Sequence, residues 1–245
     1  MFRPGAEIIR LQRVDSTNNY AAELLNNGIV TEGTAIMAYD QLKGRGQRGS
    51  SWKMVPNEDL AVSFIFYPKI EDVGAFVFNK AITLAICDTV RYFTGPGVTI
   101  KWPNDILFKG EKVGGILIEL AWQSVAIKHA IVGIGLNLAT SLYKDWSGVT
   151  SIGERYSDVL REEVLEKLCD CLGYWYAHLH GHNYEEIQTT YRDRLFKRGE
   201  RVALKGSAGS VEGVFETVND VGSIILRTSQ GSQEFAHGPY RLQMD

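Results

Sequence analysis

Cysteine and proline are scarce, three and six among 245 residues, and neither is placed to staple a fold. Cys87 stands alone, while Cys169 and Cys171 are two apart in a helical pattern and so turn to different faces. Neither a disulfide framework nor a zinc site is supported, and all three read as small core residues. Long apolar runs are missing too. Nothing approaches the ~18 to 20 uninterrupted apolar residues of a membrane span, and the first ten residues lack the apolar segment of a signal peptide. The expectation is a soluble, cytoplasmic chain with no membrane partner. An excess of basic charge is also absent: 26 Lys and Arg face 29 Asp and Glu, for a formal net charge of −3. That balance argues against a nucleic-acid binder relying on overall basicity. No repeat of fixed period and no low-complexity tract interrupts the chain.

What remains is ordinary globular composition, 44% hydrophobic and 22% charged, with one mild excess in its 25 glycines. Apolar periodicity predicts strands over 7–14, 33–39, 60–66, 98–102, 115–121 and 125–138, and helices over 77–92 and 158–179. Asp15, Ser16, Thr17 and Asn18 supply capping side chains ahead of a short helix over 20–25 that ends at Asn26, Asn27 and Gly28. After Phe196 the pattern changes to short strand-like pieces, 201–205, 209–218, 223–228 and 233–236, split by Gly, Asn and Asp turns. Two units follow, a larger one over 1–195 and a small all-β one over 196–245.

Chemistry concentrates in three clusters. The loop from Gln41 to Lys53 carries Gly44, Gly46 and Gly49 interleaved with Lys43, Arg45, Arg48 and Lys53, and it holds no acid. Glycines there let backbone N–H groups turn inward as an anion nest, and arginine adds planar donors for carboxylate or phosphate. The second cluster is Lys101, Trp102, Pro103, Asn104 and Asp105. Proline ends the strand and forces Trp102 into an extended conformation, so Asn104 and Asp105 must turn. The third runs from Lys112 through Val113, Gly114 and Gly115 into a strand, setting a flexible ammonium where backbone can touch a bound molecule.

Together these clusters resemble the biotin protein ligases. The family's GRGxxG loop is met by Gly44 to Gly49, KWPND by Lys101 to Asp105, and KxGGIL by Lys112 to Leu117. STN stands upstream at Ser16 to Asn18, and GxGxN downstream at Gly133, Gly135 and Asn137, all in the family's order. The resemblance implies an α+β fold, a mixed sheet flanked by helices like the class II aminoacyl-tRNA synthetase core, followed by a small SH3-like barrel. It implies ATP-dependent attachment of biotin to one lysine of a biotin carboxyl carrier domain through biotinyl-5′-adenylate, with Mg²⁺ on the phosphates. Arg45, Lys112 and Asp105 would be catalytic. Biotin would contact Ser16, Thr17, Asn18, Gln41, Arg45, Gly46, Gln47, Lys112, Gly114 and Gly115. The adenylate would contact Arg45, Arg48, Trp52, Lys101, Asn104, Lys112 and Asn137, with adenine on Trp52 or Trp146. Where some members carry a third loop arginine, Gln47 stands here, which shifts phosphate retention toward Arg45 and Arg48.

Two rivals are weighed. A lipoate or octanoate ligase shares the core, but a linear acyl chain does not need Ser16, Thr17 and Gln41 as polar partners. Some biotin ligases double as repressors through an N-terminal helix-turn-helix; only about a dozen residues precede the strand leading to Ser16, so no DNA partner is expected. A monomer or a homodimer fits the sequence equally.

Overall fold

The computed structural model describes residues 2–70, 74–139, 143, 146–154, 156–206 and 209–243. Seven strands form the larger sheet, in the order β1-β2-β3-β7-β6-β5-β4. They are β1 (Ile8–Leu11), β2 (Ala35–Ala38), β3 (Leu60–Phe66), β4 (Val98–Lys101), β5 (Asp105–Phe108), β6 (Glu111–Gln123) and β7 (Ala126–Leu136). Only β1 and β2 run parallel; the other neighbours are antiparallel, so the sheet is mixed.

β3 explains how the layers assemble. Its seven residues are all buried, because both faces of this central strand are covered. Val62, Phe64 and Phe66 join the main core with α2 (Phe76–Thr94) and α3 (Arg161–His180), while Ile65 packs with Ala21 of α1 (Thr17–Asn27) on the opposite face. Ser63, the one hydroxyl in the strand, faces α1 as well and bonds to Thr17 and Asn18. A further helix, α4 (Tyr184–Asp193), lies against α2. The three thiols are free and buried, and burial pushes those of Cys87 and Cys169 up to about 12.

The last fifty residues build a second, antiparallel sheet of five strands ordered β11-β10-β9-β8-β12. These are β8 (Arg201–Gly206), β9 (Gly209–Val218), β10 (Ile224–Thr228), β11 (Gly231–Phe235) and β12 (Tyr240–Leu242). The β9–β10 turn holds this sheet to the rest of the chain. Trp102 donates its indole N–H to the Gly222 carbonyl at 2.9 Å, and the Lys80 ammonium, almost wholly buried on α2, meets Asp220 at 3.0 Å.

Three local expectations are corrected. α1 begins at Thr17, so Thr17 and Asn18 form its first turn instead of capping it; Ser16 at the N-cap makes no side-chain capping bond. The Thr17 and Asn18 side chains are drawn into tertiary contacts instead. Asp105 does not turn: it opens β5 and pairs with Lys101, because the bend is completed by Trp102, Pro103 and Asn104. β12, after Gly238, was not anticipated, and it closes the edge of the second sheet against β8.

Candidate functional site

The three clusters converge on one cavity of about 500 Å³. Its floor is made by absence of side chains. Gly115 on β6 lies directly opposite Gly135 on β7, and Gly133 follows on the same strand. A Cβ on Gly135 would stand 2.2 Å from the Trp52 indole, one on Gly115 3.2 Å from the same ring, and one on Gly133 2.3 Å from Asn18 Oδ1. Trp52 therefore lies flat on backbone, its Nε1 buried without a partner. Gly114 points to the other side, against Leu136, and supports the floor from below.

The polar end of the cavity is organised by α1. Gln41 Oε1 accepts from the Thr17 N–H at 2.8 Å and its hydroxyl at 3.2 Å. The Ser63 hydroxyl lies 2.7 Å from Thr17 Oγ1 and 2.6 Å from Asn18 Oδ1, so a wholly buried strand residue orients both. Asn18 Nδ2 then donates to Glu119 at 2.7 Å, and Glu119 receives Arg45 at 2.6 and 3.2 Å. Asn19 accepts a further bond from the same guanidinium at 2.8 Å. Nothing in the sequence assigns Ser63, Asn19 and Glu119 a role in the site, although Glu119 ends the third cluster; a lone polar residue in a strand, as Ser63 is, reads as a solvent-facing position.

At the other end Lys112 Nζ meets Asp105 Oδ1 at 2.6 Å and stands 5.6 Å from the centre of the Trp52 ring. Asn104 ties its amide to the Ile116 carbonyl at 2.8 Å and accepts the Ile116 N–H in return, which fixes the bend against β6. The Lys101 ammonium is pulled below the ordinary lysine range, first by burial and then by Lys112 and Lys197, with Asp105 opposing. A desolvated ammonium of this kind interacts strongly with an incoming anion.

The loop itself is more self-contained than a nest requires. Main-chain carbonyls take the N–H groups of Leu42, Lys43, Gly46, Ser50 and Trp52. Gly44 is needed for close approach, since a Cβ there would meet the Trp52 carbonyl at 2.4 Å, and the left-handed residues are Arg48 and Gly49. Its capacity for anions thus lies mainly in Arg45 and Arg48. Gln47 presents a buried Oε1 with no partner.

Of the expected site residues, Asn137, Gly114 and Trp146 do not line the cavity. Asn137 is buried, with its amide on the carbonyls of Lys112 (3.4 Å) and Thr150 (2.9 Å), so it braces the backbone beneath Lys112. Trp146 stands outside, with Lys53 5.9 Å from its ring. Residues from the far end of the chain, His237, Gly238 and Tyr240 to Gln243, line the cavity instead, with no local signal announcing them. Among the described residues no group of three His, Cys, Asp or Glu is arranged to hold a metal ion, and no helix is long and apolar enough to cross a membrane.

Comparison with known proteins agrees with this geometry. The model of the biotin/lipoate A/B protein ligase family matches residues 10–137. The chain is 33% identical to a biotin–[acetyl-CoA-carboxylase] ligase of Paracoccus denitrificans, over 91% of this chain and 95% of that one. It is 26% identical to the bifunctional ligase/repressor BirA of Bacillus subtilis, over 93% of this chain and 71% of that one. Among solved structures, a biotin protein ligase from Aquifex aeolicus in complex with biotin and ATP superposes with a TM-score of 0.80 at 28% identity, covering 97% and 99% of the two chains.

Proposed function

The chain belongs to the biotin/lipoate A/B protein ligase family, and from that premise we propose how its cavity carries out the reaction of a biotin–[acetyl-CoA-carboxylase] ligase. The observation that carries the reading is the convergence of Arg45, Arg48, Lys101 and Lys112 on a cavity whose glycine floor at Gly115 and Gly135 seats the Trp52 indole. Such a site accepts a flat ligand bearing a carboxylate and a phosphate.

In the first half-reaction a carboxylate oxygen of biotin attacks the α-phosphorus of ATP; the bond to the β-phosphate oxygen breaks and pyrophosphate leaves. Two anions approach each other, so concentrated positive charge lowers the barrier. Lys112, Arg48 and Lys101 supply it, and Arg45 joins when ligand oxygens replace Glu119. Mg²⁺ arrives on the ATP phosphates as part of the substrate. Ser16, Thr17 and Gln41 offer buried polar partners to the ureido ring, and Asn18, Gly46 and Gln47 complete that end. A site built this way rejects analogues lacking the matching groups. Adenine stacks on Trp52, whose unpaired indole N–H lies in the same wall.

In the second half-reaction the ε-amine of the carrier lysine attacks the acyl carbon, the bond to AMP breaks, and the nitrogen gives up a proton. Lysine is almost wholly protonated at neutral pH, its ordinary pKa being about 10.4. Asp105 orients that amine and draws off its proton, at the edge of the cavity beside Lys112. Asn104 holds the bend that presents Asp105. Asn137 acts by supporting Lys112 and not by touching phosphate. Since the substrates are ATP and a carboxylase, the reading carries with it a cytoplasmic setting.

The test is incubation with biotin, Mg-ATP and a biotin carboxyl carrier domain, followed by mass measurement of that domain. One biotinyl group per carrier is expected. No gain in mass, or modification only when lipoate replaces biotin, would overturn the reading.

A further inference from the structure

Five cations line the cavity, Arg45, Arg48, Lys101, Lys112 and Arg241, and they are held in different ways. Arg45 is neutralised by Glu119 and Lys112 by Asp105, while Lys101 is subdued by burial. Arg48 has no ion pair among the described residues, yet its guanidinium is fixed: Nη2 donates to the main-chain carbonyl of His237 at 2.5 Å. A carbonyl can direct a guanidinium without cancelling its charge, which a carboxylate cannot do.

The seat for this arginine is the next residue. A Cβ built on Gly238 would lie 1.9 Å from Arg48 Nη2 and 2.2 Å from Cζ, so the guanidinium rests against the bare α-carbon. Gly238 also has φ +135°, a conformation L side chains rarely adopt. Neighbouring contacts hold the segment in register. The His237 ring stands edge-on to Trp102, 5.5 Å away, and Trp102 in turn is bonded to Gly222. The imidazole itself is neutral at physiological pH, because burial and then Arg48 and Arg241 push it down to about 4.

We infer that Gly238 and the His237 carbonyl are positioning groups of the C-terminal sheet, which hold Arg48 charged and oriented in the cavity for a phosphate-bearing nucleotide. The inference rests on the ligase reading. An arginine left free would surrender rotamer entropy on binding. Here folding has already restricted it, and the second sheet becomes part of the nucleotide site while lying outside the residues matched to the family.

Biotin-dependent exchange between ATP and pyrophosphate tests this. Exchange by the wild-type protein examines the reading itself; its absence would overturn that reading and leave the contact unused. With exchange established, Gly238→Ala is expected to raise the KM for ATP about tenfold and leave the KM for biotin within about twofold. Because Gly238 acts through Arg48, adding Gly238→Ala to Arg48→Ala should cost nothing further. A wild-type KM for ATP in Gly238→Ala, or additive losses in the double variant, overturns the inference. Should Gly238→Ala fail to fold, Arg48→Ala reads the same contact from the other side. Faster amide exchange over residues 237–241 supports the seat, and unchanged protection there refutes it.

Discussion

Arg45 and Glu119 face each other at 2.6 Å, and Glu119 is also the acceptor for Asn18, so one carboxylate of the chain holds the guanidinium that the proposed reaction assigns to the ligand phosphate. Both partners are part-exposed, and such a pair adds only about 0 to 1 kcal/mol to stability. Its importance lies in competition. Arg45→Ala is expected to melt near the wild-type temperature, yet to release biotinyl-adenylate about 10- to 100-fold faster, the worth of one or two charged hydrogen bonds. Glu119→Gln removes the competitor and should slow release by about 1.5- to 5-fold. Release rates measured with isotopically labelled adenylate decide both; a wild-type rate for Arg45→Ala would exclude it from the phosphate site.

Lys112 and Asp105 share an ion pair at 2.6 Å but serve different half-reactions in the proposed mechanism. Lys112→Ala should cut ATP–pyrophosphate exchange about 100-fold or more, since it removes a cation from the reacting phosphate. Asp105→Asn keeps the size of the side chain and is expected to slow transfer to the carrier lysine by about 10²- to 10⁴-fold while exchange falls far less. Single-turnover transfer from preformed adenylate separates the steps. Equal losses in both steps for Asp105→Asn would show that it acts only by holding Lys112.

Much of this arrangement was legible in the sequence, and what escaped did so for identifiable reasons. β3 and β9 are bounded as expected because a buried apolar run and glycine or asparagine turns mark them unambiguously. β5 was hidden: four residues beginning with Asp105, directly after a proline bend, carry the signature of a turn. α1 was shortened for the opposite reason, since Ser16, Thr17 and Asn18 are cap residues by type and site residues by position. The glycine and lysine motifs converge as their order suggested. Ser63, Glu119, His237 and Gly238 enter the site only through long-range packing, which no local pattern encodes.

Asp59 ties the segment after Trp52 to the chain that follows β7 and gives a stability prediction. It is wholly buried, with Oδ1 accepting the N–H groups of Leu138 (2.8 Å) and Ala139 (3.1 Å) and Oδ2 accepting the Val55 N–H (2.6 Å) and the Tyr143 hydroxyl. Burial, and then the Asp59 charge, raise the Tyr143 hydroxyl well above the ordinary tyrosine range, so it remains a donor. Asp59→Asn puts two N–H donors where acceptors are required. A loss of about 2 to 4 kcal/mol is expected from urea unfolding, with looser attachment of the segment following Trp52. A loss below about 0.5 kcal/mol would mean that the network is replaceable by water.

His237 predicts where acid begins to weaken the protein. Its ring is half-buried beside Arg48 and Arg241, and its pKa falls to about 4, against an ordinary value near 6.5. Between those values the unfolded chain binds a proton that the folded ring refuses, so stability rises with pH across the window. The contribution is constant above about pH 6.5, and it is lost progressively as pH drops toward 4. Water reaching a half-buried ring makes the loss smaller than the full shift converts to. His237→Asn removes the titration but keeps the carbonyl that receives Arg48. Other carboxylates titrate in both proteins, so the informative quantity is the difference between their urea midpoints at pH 7.5, 6 and 5. The wild type should lose more stability than His237→Asn on acidification, and parallel profiles would mean that the ring protonates without disturbing its contacts with Trp102 and the arginines.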